Sequence, residues 1–218
     1  MPTPYTLVIL DCDGVLVDSE RLAAEVSAEM FRALGWEVEA DELRRRFSGC
    51  TPTQWQAGVR DELGDRLEQG WAEELRSRCE AAFDSRLHAV DGVSEALARI
   101  GVPMCVATNG DRATTRRNLR RVNLLERFEN AVFVASDVAQ PKPAPDLFLH
   151  AARSLGALPS SCAVVEDSIT GVRAARAAAM DCFAYTGATQ EDDALSSLGA
   201  IVFRDMRELP LLLDRGGT

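Results

Sequence analysis

Five short apolar runs, at residues 5–10, 102–107, 131–134, 162–165 and 182–185, end abruptly in polar residues, and helical periodicity separates most of them. This rhythm is the signature of a parallel sheet with crossover helices. Leu7-Val8-Ile9-Leu10 and Cys105-Val106-Ala107 are apolar at every position rather than at alternate ones, which suits strands covered on both faces. The expected fold class is α/β, with a Rossmann-like parallel sheet core.

One interval breaks the rhythm. Residues 18–85 are charged, alanine-rich and helical in pattern, and too long for a simple crossover. Helices expected at 19–34, 40–47, 52–63 and 66–84, punctuated by Gly35-Trp36, Ser48-Gly49 and Gly64, make a small bundle inserted after the first strand. The expected domains are an α/β core of residues 1–17 and 86–218 and an inserted α-helical cap of residues 18–85. Cap movement would hinge at residues 14–20 and 84–92.

The net charge of -10 repels phosphate backbones and anionic lipid, so neither nucleic acid nor a membrane surface is the expected partner. No apolar run approaches the roughly 18 residues that cross a bilayer, and the first residues lack a secretory pattern, so a cytoplasmic location is expected. Arg116, Arg117, Arg120 and Arg121 have the i, i+4 spacing of a solvated helix face. Six cysteines without any C-x-x-C, and only two histidines, read as small buried residues rather than a zinc site. The oligomeric state is left between monomer and homodimer.

Chemistry-bearing residues stand at the carboxyl ends of the expected strands, where open α/β sheets bind ligands. The first run leads into Asp11-Cys12-Asp13-Gly14-Val15-Leu16-Val17-Asp18-Ser19. In extended backbone, residues i and i+2 point to one side, so Asp11 and Asp13 face one small volume while Cys12 turns into the packing. Such a carboxylate pair calls for a hard divalent cation, and magnesium fits; aspartates capping a turn are the other reading. Thr108-Asn109-Gly110 ends the second run with hydroxyl, amide and backbone N–H groups suited to an anion, though it is also an ordinary turn. Lys142 stands between Pro141 and Pro143, which stiffen its backbone and present the ammonium at low entropic cost. Glu166-Asp167-Ser168 ends a fourth run and opens a helix, so its carboxylates read as metal ligands or as helix caps. Together these residues compose a phosphoryl-transfer site.

The ordered motifs DCDGVLVDS, ATNG, the lysine of PKPAPD and VVEDS resemble those of the haloacid dehalogenase-like hydrolase superfamily, and the insertion between the first two looks like the helical cap of its β-phosphoglucomutase-like branch. The resemblance implies Asp11 as the nucleophile that forms an aspartyl phosphate and Asp13 as general acid and base. It implies Thr108 and Lys142 as holders of the phosphoryl oxygens. Magnesium would be bound by Asp11, the Asp13 main-chain carbonyl and Asp167, with Glu166 helping directly or through water. Mutases of this branch usually carry a histidine where this chain has Ala23, so hydrolysis ranks above a β-phosphoglucomutase-type reaction. A non-catalytic phosphate-binding regulator is the remote alternative. Phe83-Asp84-Ser85-Arg86-Leu87 and Pro103-Met104-Cys105-Val106 are similar to segments of bacterial sugar-phosphate phosphatases, including those acting on 6-phosphogluconate. A small phosphorylated metabolite is therefore the expected partner, a sugar or sugar-acid phosphate first. Within the cap, Arg46, Ser48, Thr51 and Gln54 are candidate readers of its hydroxyls or carboxylate. Phe47 and Trp55 in the same segment also fit a loop packed into the cap core.

Overall fold

The computed structural model of the chain describes residues 3–47, 52–128, 130–187 and 192–216. In chain order the elements are β1 (Leu7–Leu10), α1 (Ser19–Ala33), α2 (Ala40–Phe47), α3 (Pro52–Leu63), α4 (Trp71–Arg86), α5 (Val93–Arg99), β2 (Met104–Thr108), α6 (Arg112–Arg121), β3 (Val132–Val134), α7 (Asp146–Ser154), β4 (Cys162–Glu166), α8 (Ile169–Ala177), β5 (Asp181–Tyr185), α9 (Asp192–Ser197), β6 (Ile201–Phe203) and α10 (Leu209–Arg215). The chain divides into two compact units, residues 1–17 with 89–218 and residues 18–88. The second unit thus runs three residues past the expected boundary at 85, because α4 continues to Arg86.

The first unit is a six-stranded sheet in the order β3-β2-β1-β4-β5-β6, with every neighbouring pair parallel. The order reverses at β1, which pairs with β2 on one side and β4 on the other; Ile9 is opposite Cys105 and Val164. That reversal opens a crevice at the carboxyl ends of β1, β2 and β4. Alternate residues Leu7, Ile9, Cys105, Ala107, Cys162 and Val164 pack with Leu147, Phe148 and Ala151 of α7 and Val172 and Ala175 of α8. Their neighbours Val8, Leu10, Val106 and Val165 are just as buried, so the sheet is covered on both faces.

The sixth strand escapes the sequence pattern. Ile201-Val202-Phe203 is an edge strand of three residues, like β3 at the opposite edge, and adds a sixth strand to the five expected runs. The first strand begins at Leu7 rather than Tyr5, whose buried ring meets Phe183 edge-on while its hydroxyl donates to Asp181 Oδ2 at 2.7 Å.

The second unit holds α1 to α4 around Phe31. Its ring stacks on Trp36 at 5.3 Å between centroids and lies 6.1 and 6.3 Å from Trp55 and Trp71. Arg66 ties the helix ends together: its guanidinium donates to the Leu34 and Gly35 carbonyls after α1 and to the Glu62 and Leu63 carbonyls of α3. The fourth helix starts at Trp71 rather than 66 because Gly70, at φ 88°, breaks the run just before it. Among the described residues no helix is long and apolar enough to cross a membrane. Replacing Phe31 by Ala empties the centre of this cluster, and urea unfolding should register a loss of about 3–5 kcal/mol.

Candidate active site

Asp11 follows β1 and stays on its ladder, donating its N–H to the Val165 carbonyl of β4 at 2.9 Å. The chain then folds into a tight turn in which the Cys12 carbonyl accepts from Leu16 and Val17 and the Gly14 N–H donates to the Val17 carbonyl at 2.9 Å. Gly14 sits at φ +77°, and a Cβ there would stand 1.8 Å from Oδ2 of Asp167. The missing side chain is what lets the Asp167 carboxylate lie against the turn that carries both aspartates.

The turn after β2 closes on the same place. Around the position a Cβ would take on Gly110 stand Thr115 Oγ1 at 3.2 Å, Thr108 Oγ1 at 3.4 Å and Asp13 Oδ2 at 3.7 Å. Thr108 is buried, and its Oγ1 accepts from the Gly110 N–H at 3.1 Å, leaving its proton available for a further acceptor. Thr115, buried on α6, carried no sequence signal beyond its position three residues into a helix.

Lys142 is 6% exposed, yet its Nζ reaches two carboxylates: Asp11 Oδ1 and Glu166 Oε1, both at 2.5 Å. The ammonium also lies 4.8 Å from the centre of the Phe148 ring. Glu166, 1% exposed, is committed on its other oxygen as well, which accepts from the Asp167 N–H (3.1 Å), the Ser168 N–H (3.2 Å) and the Ser168 hydroxyl (2.9 Å). A Cβ on Gly171 would fall 1.8 Å from the Glu166 carboxyl carbon, so the first turn of α8 must lack a side chain there. Ser168 caps α8 by accepting from the Gly171 N–H at 3.0 Å. Capping therefore falls to Ser168, while adjacent Glu166 and Asp167 turn to different neighbours.

Charge within this cluster is unbalanced. Burial pushes the Asp11 carboxyl up to about 8 against the pull of the Lys142 ammonium, and Glu166 and Asp13 push the same way as burial. Burial alone would lower the Lys142 pKa, but Asp11 and Glu166 outweigh it and hold the amine protonated. Asp11 and Glu166 share a single ammonium, with Asp167 against the Gly14 turn and Asp13 two residues beyond Asp11, and these oxygen donors suit a hard divalent cation. Among the described residues no three His, Cys, Asp or Glu side chains are already drawn together as a metal cage. Cys12 is fully buried and its thiol is raised well above the usual range by burial, with Asp13 and Asp11 adding to it, so it stays protonated and packs as a small apolar residue.

The remaining candidates divide. Asn109 turns its side-chain amide to the Lys142 backbone, accepting from its N–H at 3.1 Å and donating to its carbonyl at 3.0 Å. Arg46 belongs to the helical unit, where it pairs with Glu62 at 2.8 Å and lies over the Trp36 and Phe47 rings. Gln54 is exposed on α3, and Ser48 and Thr51 lie outside the described residues. Substituting Lys142→Met leaves Asp11 and Glu166 buried together without their shared cation. Chemical denaturation of that variant should show a loss of about 3–5 kcal/mol, the cost of breaking one side of a buried ion pair.

The comparisons agree with one another. A family model described as haloacid dehalogenase-like hydrolase matches residues 5–179. The chain is 31% identical over 211 residues to the 6-phosphogluconate phosphatase of Escherichia coli, covering 96% of this chain and 95% of the relative. It is 30% identical over 185 residues to the fructose-1-phosphate phosphatase YqaB of the same organism, covering 81% and 94%. Among solved structures, a HAD family hydrolase of Deinococcus radiodurans, crystallised with phosphate and sodium, superposes with a TM-score of 0.85 at 31% identity over 95% of this chain and 94% of that one. With a six-stranded parallel sheet that reverses at β1 and a model match over most of its length, the chain belongs to the haloacid dehalogenase-like hydrolase family.

Proposed function

We propose that this protein is a magnesium-dependent phosphatase that hydrolyses a small phosphorylated metabolite, most directly a sugar or sugar-acid phosphate, through an aspartyl phosphate on Asp11. One observation carries the reading: a carboxylate at the sheet's reversal point is held by a buried lysine, with a second aspartate two residues on. The Asp11 carboxylate attacks phosphorus and the bond to the leaving oxygen breaks, with Asp13 giving that oxygen its proton. Asp13 then takes a proton from water, which attacks the same phosphorus and returns Asp11 as a carboxylate with release of inorganic phosphate. Lys142 and the Thr108 hydroxyl hold the phosphoryl oxygens, so the charge of the transferring group meets groups already in place.

Magnesium fits Asp11, Asp167 and the Asp13 main-chain carbonyl, and when bound it supplies positive charge against the carboxylates and phosphoryl oxygens. Glu166, with both oxygens engaged by Lys142, Ser168 and two backbone N–H groups, is assigned to the lysine rather than to the metal. The substrate class is supported by the names of the two Escherichia coli relatives, one acting on a sugar-acid phosphate and one on a sugar phosphate. Ala23, where mutases of this branch usually carry a histidine, supports hydrolysis over isomerisation.

A screen of phosphorylated metabolites with magnesium should give phosphate release from sugar or sugar-acid phosphates. Asp11→Asn should lower it on the order of 10³-fold or more, and Asp13→Asn by about 10²–10⁴-fold. Full activity in Asp11→Asn, or isomer rather than free phosphate as the product, would sink the reading.

A further inference from the structure

We propose that Asn109 is a positioning residue for Lys142, acting through the lysine's main chain and not by touching the substrate; this rests on the phosphatase reading of the site. Between residues 141 and 145 the chain is neither helix nor strand, and Pro141, Pro143 and Pro145 have no backbone N–H. Only Lys142 and Ala144 retain donors. The Ala144 N–H donates within the segment, to the Pro141 carbonyl at 3.0 Å. The Lys142 N–H is the donor left to fasten the segment to the sheet, and Asn109 Oδ1 takes it at 3.1 Å while Asn109 Nδ2 donates to the Lys142 carbonyl at 3.0 Å.

One side-chain amide thus pairs with both peptide groups of Lys142, as a neighbouring strand would. Only a primary amide offers a donor and an acceptor side by side at that reach. Asn109 directly follows β2, so the clamp ties the lysine's backbone to the strand end that also carries Thr108. At the other end of the side chain, Asp11 and Glu166 hold the ammonium. A lysine has four rotatable carbons, and fixing both its backbone and its ammonium removes the freedom that would otherwise have to be lost when phosphate arrives.

The test uses the full-length protein with magnesium and compares the native chain with Asn109→Ala and Asn109→Ser. Three esters with different leaving groups serve as substrates: a sugar phosphate, a sugar-acid phosphate and p-nitrophenyl phosphate. The Ki of inorganic phosphate and the ¹H–¹⁵N signal of the Lys142 ammonium are measured beside them. Loss of two hydrogen bonds should lower kcat/KM by about 30-fold in Asn109→Ala, by the same factor for all three esters. The phosphate Ki should rise and the ammonium signal should shift or exchange faster, with Asn109→Ser affected in the same direction. A loss that differs more than tenfold between esters with an unchanged phosphate Ki would make Asn109 a substrate contact and overturn the proposal. An unchanged ammonium signal in both variants would overturn it too. Should the native chain release phosphate from none of the esters, the phosphatase reading fails, and the ammonium signal alone still decides whether Asn109 positions Lys142.

Discussion

The buried ammonium of Lys142, shared between Asp11 and Glu166, is the interaction on which the site is built. A lysine with 6% of its surface exposed is stable as a cation only because both carboxylates face it, and each of them is in turn brought there by a strand end of the same sheet. Asp11 comes from β1, Glu166 from β4, and these strands are adjacent because the sheet reverses its order there. The parallel topology therefore does more than make a core. It delivers opposite charges, 131 and 24 residues from the lysine in sequence, to within hydrogen-bonding distance of one nitrogen.

Two glycines supply the room. Gly14 gives up a side chain to Asp167, and Gly171 gives one up to Glu166. Neighbouring carboxylates can then turn to different tasks: Glu166 inward to the lysine and the first amides of α8, Asp167 against the turn that carries Asp11 and Asp13. The cluster still holds more negative than positive charge, so Glu166 and Asp13 add to burial in raising the Asp11 carboxyl. A cation or the proton of an acid must offset the difference, which is the physical reason for proposing magnesium here.

Much of this was legible in the sequence. Continuous apolarity at Leu7-Val8-Ile9-Leu10 marks a strand buried on both faces, and the charged, alanine-rich pattern of residues 18–85 marks a run of helices. What the sequence could not supply is partner choice. Glu166 and Asp167 are adjacent carboxylates with the same chemistry, and only the positions of Lys142, Gly171 and Gly14 distinguish them. Asn109 carries an amide equally suited to a ligand or to backbone, and the proline-rich segment that needs its hydrogen bonds lies 33 residues away. Arg46 offers a cation that would suit an anionic substrate, but Glu62 and the Trp36 and Phe47 rings engage it through contacts that no local pattern encodes. Strand β6 lies beyond the five expected runs, although it is no shorter than β3 at the opposite edge.

The central claim is that Asp11 takes the phosphoryl group before water does. Hydrolysis in ¹⁷O-labelled water of a phosphorothioate ester whose two non-bridging oxygens are ¹⁶O and ¹⁸O tests it directly, because each displacement inverts the phosphorus and the thiophosphate released is still chiral. Attack by Asp11 followed by attack by water predicts net retention of configuration. Net inversion would mean a single direct displacement by water and would contradict it.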